Sequence, residues 1–502
     1  MSKIAFLRLQ FFYNSLTNYR LYVKMSQPII EVKSKEKEKY MSAYVKGKEK
    51  FAYGFAGVGS YMVANIVSSY VNYYLTNIIM VTPVFILVLM IMGRVLDMCT
   101  DPMMGIIVDK TNTKKGKMRP YVQIGAFFIG IVTVFMFYPV GGSLVWRSIF
   151  AVVMYVGFGL AYTFVDVPAM GMLSVATPDK EERASLSSFY VAVGSIGGLL
   201  PAAMLFVLQM FIPEKWVYFA ISAIVGVLTF IAYTYLYRHS KERFSTKTEK
   251  IKISEMFKVV AKNKPMTLTL LTSMLASTRY MIMVIAIYIA TYVVHIPGLS
   301  SGTVLLILYA VVGAGMFGGI LLTPVSYKRI GYKKTSLIFG AIGALALGAS
   351  FLVGMVNIYL ALPFMAIGGL GLGAYNTLPY PMVGDSLDYL EWKTGERMEG
   401  ICFSLNSFVT KFNNAVGAFG VMLGLILVKF VQPSESGAIE AQSEFTTTGM
   451  FAMATLVPAI GFALSLIPMA LYDYTGEKKK RILCDLDCRR NTVSRETVTA
   501  EV

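Results

Sequence analysis

Residues 94–126 read RVLDMCTDPMMGIIVDKTNTKKGKMRPYVQIGA, a charged stripe set inside an apolar run and followed by a basic loop. The apolar run, 83–108, is long enough to cross the about 30 Å hydrocarbon core of a bilayer. Arg94, Asp97 and Asp101 lie within it at i, i+3 and i+7, which places them on one side of a helix. An ionisable group at that depth costs a few kcal/mol or more, so each is a functional candidate by default. Two carboxylates a turn apart repel unless something positive lies between them. Arg94 can neutralise one; a bound cation or a proton can neutralise the other. Oxygen-only ligands suit a hard ion such as Na⁺, and Thr100 adds a hydroxyl. The plainer alternative is an Arg–Asp pair that staples this helix to a neighbour.

Such apolar runs recur along almost the whole chain. Of the 502 residues 56% are hydrophobic and only 15% charged, with 31 Tyr and 32 Phe. Soluble domains run nearer about 25% charged, so a soluble enzyme, a disordered regulator and a disulfide scaffold are all excluded. Twelve segments can span a membrane: 51–78, 83–108, 119–141, 147–177, 185–211, 216–237, 266–294, 301–325, 334–354, 357–388, 400–431 and 448–473. The expected fold is an all-α polytopic membrane protein with twelve transmembrane helices in two six-helix halves. The halves are 51–237 and 266–473, flanked by a basic extension 1–50, a linker 238–265 and a tail 474–502. Residues 1–50 hold no apolar run long enough for a signal peptide, and Met25 reads as the natural start, with 1–24 upstream of it.

Charge sets the orientation. The two termini and the loops on their side carry 40 of the 46 Lys and Arg residues, while the opposite loops carry only Arg147, Lys215 and Lys429. The positive-inside bias puts both termini in the cytoplasm of a cell membrane and accounts for the net charge of +17 without nucleic acid. The four cysteines and two histidines form no metal framework. The halves also echo each other. GIIVDKTNTKKGKMRP from Gly105 and GILLTPVSYKRIGYKK from Gly319 fall at the same place in each, with a second glycine at Gly116 and Gly331. A six-plus-six duplication fits a major-facilitator-type transporter with its site between the halves near the midplane.

Other intramembrane charges extend the site. Asp166 lies in the fourth span with Thr163 one turn earlier and Pro168 just after. Lys411 lies mid-span in the eleventh, beside Asn406, Asn413 and Asn414, too deep for easy snorkelling. Arg279 lies in the seventh. Asp166 from one half and Lys411 from the other could clamp a polar solute, with Asn406 and Arg279 beside it. The charges at the membrane edge read instead as a gate of salt bridges that form in one state and break in another. They are Asp109, Lys115 and Arg119 after the second span, and Asp385, Asp388, Glu391 and Arg397 at the end of the tenth.

At these residues the chain resembles the glycoside–pentoside–hexuronide:cation symporter family, which contains the melibiose permease. The resemblance covers roughly residues 48–490 and is most specific in the stretch quoted above and in DSLDYLEWKTGERMEG, 385–400. It implies the major-facilitator fold and sugar uptake coupled to Na⁺, Li⁺ or H⁺. The family's cation-site acids fall on Asp97 and Asp101, its hydroxyl ligand on Thr163, and Thr100 stands where Asn often precedes the second acid. The sugar-binding acid falls on Asp166 and the lysine on Lys411. Ser60 and Tyr61 replace the permease's Lys–Asp pair, Val191 its fifth-span arginine, and Met170 and Asn376 its aromatic platforms. The resemblance thus implies that the coupling machinery is retained while the galactoside pocket is not.

The expectation is a secondary active symporter working by alternating access, not an enzyme. Its partners are a small-molecule solute, a coupling cation (Na⁺ or H⁺) and membrane lipid; no cofactor, nucleic acid or oligomeric state is assigned. No phosphate-binding loop is present, which disfavours a primary pump. A transporter of lipids or other amphiphiles on the same fold, and a non-transporting membrane sensor, are the alternatives.

Overall fold

The computed structural model describes residues 44–113, 115–177, 179–243, 263–294, 298–395, 399–433 and 440–500. The expected start at Met25, most of the linker and the loop at 295–297 lie outside them. Twelve membrane-length helical spans appear where the apolar runs fall. Spans one to six are Gly47–Tyr73, Pro83–Lys110, Arg119–Met136, Leu144–Val175, Lys180–Leu208 and Glu214–His239. Span seven runs from Lys264 to Val293. Span eight is Ser301–Ile330, span nine Tyr332–Gly354 and span ten Ile358–Thr394. Span eleven is Glu399–Leu427 and span twelve Glu444–Ala470. A last helix, Gly476–Ala500, forms the tail.

Polar caps start the spans. Ser143, Ser300 and Ser443 accept from the backbone N–H three residues on, and Pro83 and Pro265 sit in first turns where no donor is needed. The two repeat glycines both take positive φ, +107° at Gly116 and +83° at Gly331, so the corresponding loops turn on the one residue that tolerates this.

Eleven spans are long and apolar enough to cross a membrane by length and composition. Span one is not among them, because glycine, serine, asparagine and tyrosine dilute it. It needs no lipid-facing stripe: Tyr53, Ser60, Ile66, Tyr70 and Asn72 are all buried. The outer spans show the reverse pattern, with Phe127, Phe135, Leu321, Leu345 and Leu352 on the outside of the bundle, where lipid would solvate them.

Span one packs on spans five and six, and span three on four and six. In the second half span ten packs on eight and nine, and span twelve on seven and nine. The eight–ten contact depends on facing glycines. A Cβ at Gly315 would sit 1.8 Å from the Ala366 carbonyl oxygen, and one at Gly373 would sit 2.0 Å from that of Met316. This small-xxx-small pattern lets the backbones touch.

The halves meet through spans one and seven, two and eleven, and five and eight. At the end opposite the termini they are sealed by neutral hydrogen bonds. Asn72 Nδ2 donates to the Ala418 carbonyl at 3.2 Å, and the Thr76 and Tyr288 hydroxyls share a bond of 2.8 Å. Thr291 Oγ1 donates to Tyr73 Oη at 3.3 Å and Tyr292 Oη to Asn77 Oδ1. Gln432 Nε2 donates to the carbonyls of Thr76 and Val81 at 3.0 and 2.7 Å. At the other end the ion pairs Arg243–Glu49 (2.7 Å), Lys264–Asp473 (3.1 Å) and Lys479–Asp385 each stay within one half.

Gly373→Leu should destabilise the protein by about 3 kcal/mol or more through overpacking against backbone. Gly348→Leu, where a Cβ meets nothing within 4 Å, should be near neutral. Melting curves of the two variants in detergent check the contrast.

Candidate functional site

Below the seal lies a cavity of about 380 Å³, within the range of small-molecule sites, lined mainly by spans one, two, four and eleven. Span two presents Arg94, Asp97, Thr100 and Asp101 to it. Arg94 Nη1 donates to Asp97 Oδ2 at 3.2 Å along the helix. Thr163 Oγ1, from span four, donates to Asp101 Oδ1 at 3.1 Å, and the Thr100 and Thr163 hydroxyls lie 3.5 Å apart. Lys411 Nζ, from span eleven, forms an ion pair with the other Asp101 oxygen. One carboxylate is thus held by a hydroxyl of its own half and an ammonium of the opposite half. Two carboxylates and the Thr100 hydroxyl on adjoining turns of span two, with the Thr163 hydroxyl facing them from span four, make an all-oxygen donor set that suits a hard monovalent cation or a proton.

Asp166 stands about one turn further along span four. Its partners are hydroxyls: Ser60 Oγ donates to Asp166 Oδ1 at 3.4 Å and lies 3.4 Å from Tyr162 Oη. Tyr162 stacks on Phe158 with ring centroids 5.8 Å apart, giving the wall a flat face. Tyr61, Asn65, Ser68, Tyr155 and Asn414 complete the polar lining.

The structure therefore brings together Asp97, Thr100, Asp101, Thr163, Asp166 and Lys411. It does not bring Arg279 or Asn406 to the cavity wall. Arg279 is 3% exposed and turned into its own span, donating to the Ala276 and Ser273 carbonyls at 2.7 and 3.3 Å and to Asn376 Oδ1 at 3.5 Å. Those bonds brace the 3₁₀ turn Ala276–Tyr280 that interrupts span seven. Asn406 is likewise buried, with its carbonyl accepting from Thr410.

The edge charges have partners that were not foreseen. Asp385 is paired with Lys479 of the tail helix. Arg119 donates to the Tyr237 carbonyl at 3.1 and 2.6 Å and covers that residue's ring. Lys115 sits in the turn and accepts from Arg119 through its carbonyl. Asp388 and Glu391 lie on the last turns of span ten, while Arg397 and the Asp109 side chain lie outside the described residues. Glu242 also escaped the sequence reading. Its carboxylate accepts from the N–H groups of Lys117, Met118 and Arg119 at 2.7–2.9 Å and so ties the start of the linker to the loop after span two.

Part of the missed lining did have a signal. Tyr61, Asn65 and Ser68 fall at i, i+4 and i+7, a polar stripe inside span one, and Tyr155, Tyr162 and Asp166 form another in span four.

Twelve spans, paired halves and a polar cavity between them define a multi-pass membrane transporter of the major-facilitator type, not an enzyme. A family model described as MFS/sugar transport protein matches residues 52–476, and the chain belongs to that family. It is 28% identical over 467 residues to an uncharacterized symporter of Bacillus subtilis (strain 168), covering 91% of this chain and 98% of that protein. It is 27% identical over 458 residues to the isoprimeverose transporter of Lactiplantibacillus pentosus, covering 88% and 91%. The solved structure of a nucleoside transporter, 14% identical, superposes with a TM-score of 0.57 over 85% of this chain and all of its own, which shows the shared fold.

If the sealed end must open during transport, Asn72→Cys with Ala418→Cys, in a chain freed of Cys99, Cys402, Cys484 and Cys488, should cross-link on oxidation and abolish uptake until reduced. Undiminished uptake by fully cross-linked protein would show that this end does not move.

Proposed function

We propose that the protein is a cation-coupled symporter of a sugar-type solute, with Na⁺ or H⁺ as coupling ion, working by alternating access in the cell membrane with both termini in the cytoplasm. The observation that carries this reading is Asp101, shared between Thr163 of its own half and Lys411 of the other. An arriving cation would compete with Lys411 for that carboxylate. Coordination at Asp97, Asp101, Thr100 and Thr163 would loosen an inter-half ion pair, and loading would be linked to the relative position of the halves. Asp166, with Ser60 and Tyr162, would accept hydrogen bonds from solute hydroxyls, and the freed Lys411 would close on the solute from the opposite wall. Asp385, with Asp388 and Glu391, would gate the cytoplasmic end. The seal on the far side, with within-half ion pairs on the near side, fits an inward-facing state of such a cycle. The family assignment and the symporters among its relatives support the class.

Asp97→Asn and Asp101→Asn each keep size while removing the charge that would balance the ion. Both should abolish accumulation against a gradient while the protein still inserts. Retention of uphill transport in both, measured in proteoliposomes with an imposed Na⁺ or H⁺ gradient, would refute the cation site.

Asp166→Asn and Lys411→Met should each weaken solute binding by roughly 2–5 kcal/mol, because the remaining partner is left without its contact. Titration calorimetry on the two variants reads this directly. Wild-type affinity in both would remove the clamp.

A further inference from the structure

We propose, resting on the symport reading above, that the solute is an uncharged polyol, a neutral glycoside, and that the charge of the cavity excludes sugar acids. The Asp, Glu, Lys and Arg side chains described on the wall are Arg94, Lys411, Asp97, Asp101 and Asp166, two positive and three negative. Both positive groups are engaged, Arg94 by Asp97 at 3.2 Å and Lys411 by Asp101. Asp166 faces hydroxyls only, with Ser60 at 3.4 Å. Arg279, a further buried cation, is turned away and held by two carbonyls and Asn376.

The wall therefore carries a formal charge of −1, and one monovalent coupling cation brings it to zero. This count does not depend on which acid the cation takes or where Lys411 goes when released. An uncharged solute leaves the occluded cavity neutral when the halves close over it. A uronate would leave it at −1: Lys411, released by the cation, could meet the added carboxylate, but its charge is already counted against the acids of the wall. Enclosing an uncompensated charge in a low-dielectric interior is costly, and a second carboxylate near Asp166 adds repulsion. The rest of the wall suits the neutral case. Asp166 can accept from sugar hydroxyls, Asn65, Ser68 and Asn414 offer neutral donors and acceptors, and the stacked Phe158–Tyr162 pair offers an apolar face to a ring.

The test matches each neutral glycoside with the uronic acid of the same ring: methyl glucosides against methyl glucuronides, and methyl galactosides against methyl galacturonides. The full chain, purified in detergent with Na⁺ at neutral pH, is titrated with each, and binding is read from the rise in melting temperature. In any pair that binds, the neutral member should bind at least about tenfold more tightly. An acid that binds as tightly as its neutral partner, or more tightly, overturns the inference and leaves the symport reading standing. In folded Asp166→Asn the acid's disadvantage should shrink, since the wall is then neutral before the cation arrives. An unchanged neutral-to-acid ratio in that variant overturns the role given to Asp166. If no pair binds while a lysolipid stabilises the protein, the sugar reading falls and this inference falls with it.

Discussion

A carboxylate in the middle of a membrane protein is costly without polar or charged partners, and the arrangement around Asp101 follows from that requirement. Its two oxygens face different helices, one bonded to Thr163 in the same half and the other to Lys411 in the opposite half. Alone, either charge would cost several kcal/mol in hydrocarbon, and together they oblige span two and span eleven to lie side by side. Arg94 performs the same service for Asp97 within one helix. The two acids thus differ in kind. The Asp97 pair is local and can persist in any conformation, while the Asp101 pair joins the halves and can persist only while they are close. On the proposed reading, a cation that replaced Lys411 would change how strongly the halves attract each other, and that would be the physical content of coupling.

The architecture was legible in the sequence because hydrocarbon thickness sets the length of a span. All twelve apolar runs became helices, and the structure adds that the paired glycines Gly116 and Gly331 both take positive φ. Of the six residues that meet in the cavity, the four charged ones were legible because charge is rare there, and the two threonines because they lie beside those acids. What stayed hidden was whatever depends on the partner of a side chain. Arg279 had the right type and depth, yet it bonds back to carbonyls of its own span, and no spacing rule separates those two outcomes. Asp385 read as part of a gate, but the tail helix supplies Lys479, and nothing in the tail's basic composition distinguishes that lysine from its neighbours. Span one was set by length while its low hydropathy understated how thoroughly the bundle buries it.

The two ends of the molecule use different chemistry, and the magnitudes suit a device that must open. Spans one and seven both finish in a π turn, Tyr74–Ile78 and Ile289–Val293. Such turns shift the helical register and recur at functional sites. Here they carry Thr76, Asn77, Thr291 and Tyr292 into contact across the halves. The seal is six neutral hydrogen bonds among side chains and carbonyls, four of which involve a residue of these turns. At about 0.5–1.5 kcal/mol net each, such a set is worth roughly 3–9 kcal/mol, and less where water can replace a partner. That is comparable with the few kcal/mol by which a ligand can bias a two-state equilibrium, so a seal of this size is within the range that ligand binding can shift. Cross-half ion pairs buried at the same place would be far harder to break, because each separated charge would be left unpaired in a low dielectric. The described ion pairs at the near end avoid that difficulty differently, by staying inside one half and moving with it. The described ion pair Lys411–Asp101 does cross between the halves, and on the proposed reading a cation would take over one side of it. On that reading its rupture would leave the Asp101 carboxylate compensated by the cation, and the released Lys411 ammonium would be the one charge the cavity has to accommodate while the halves part.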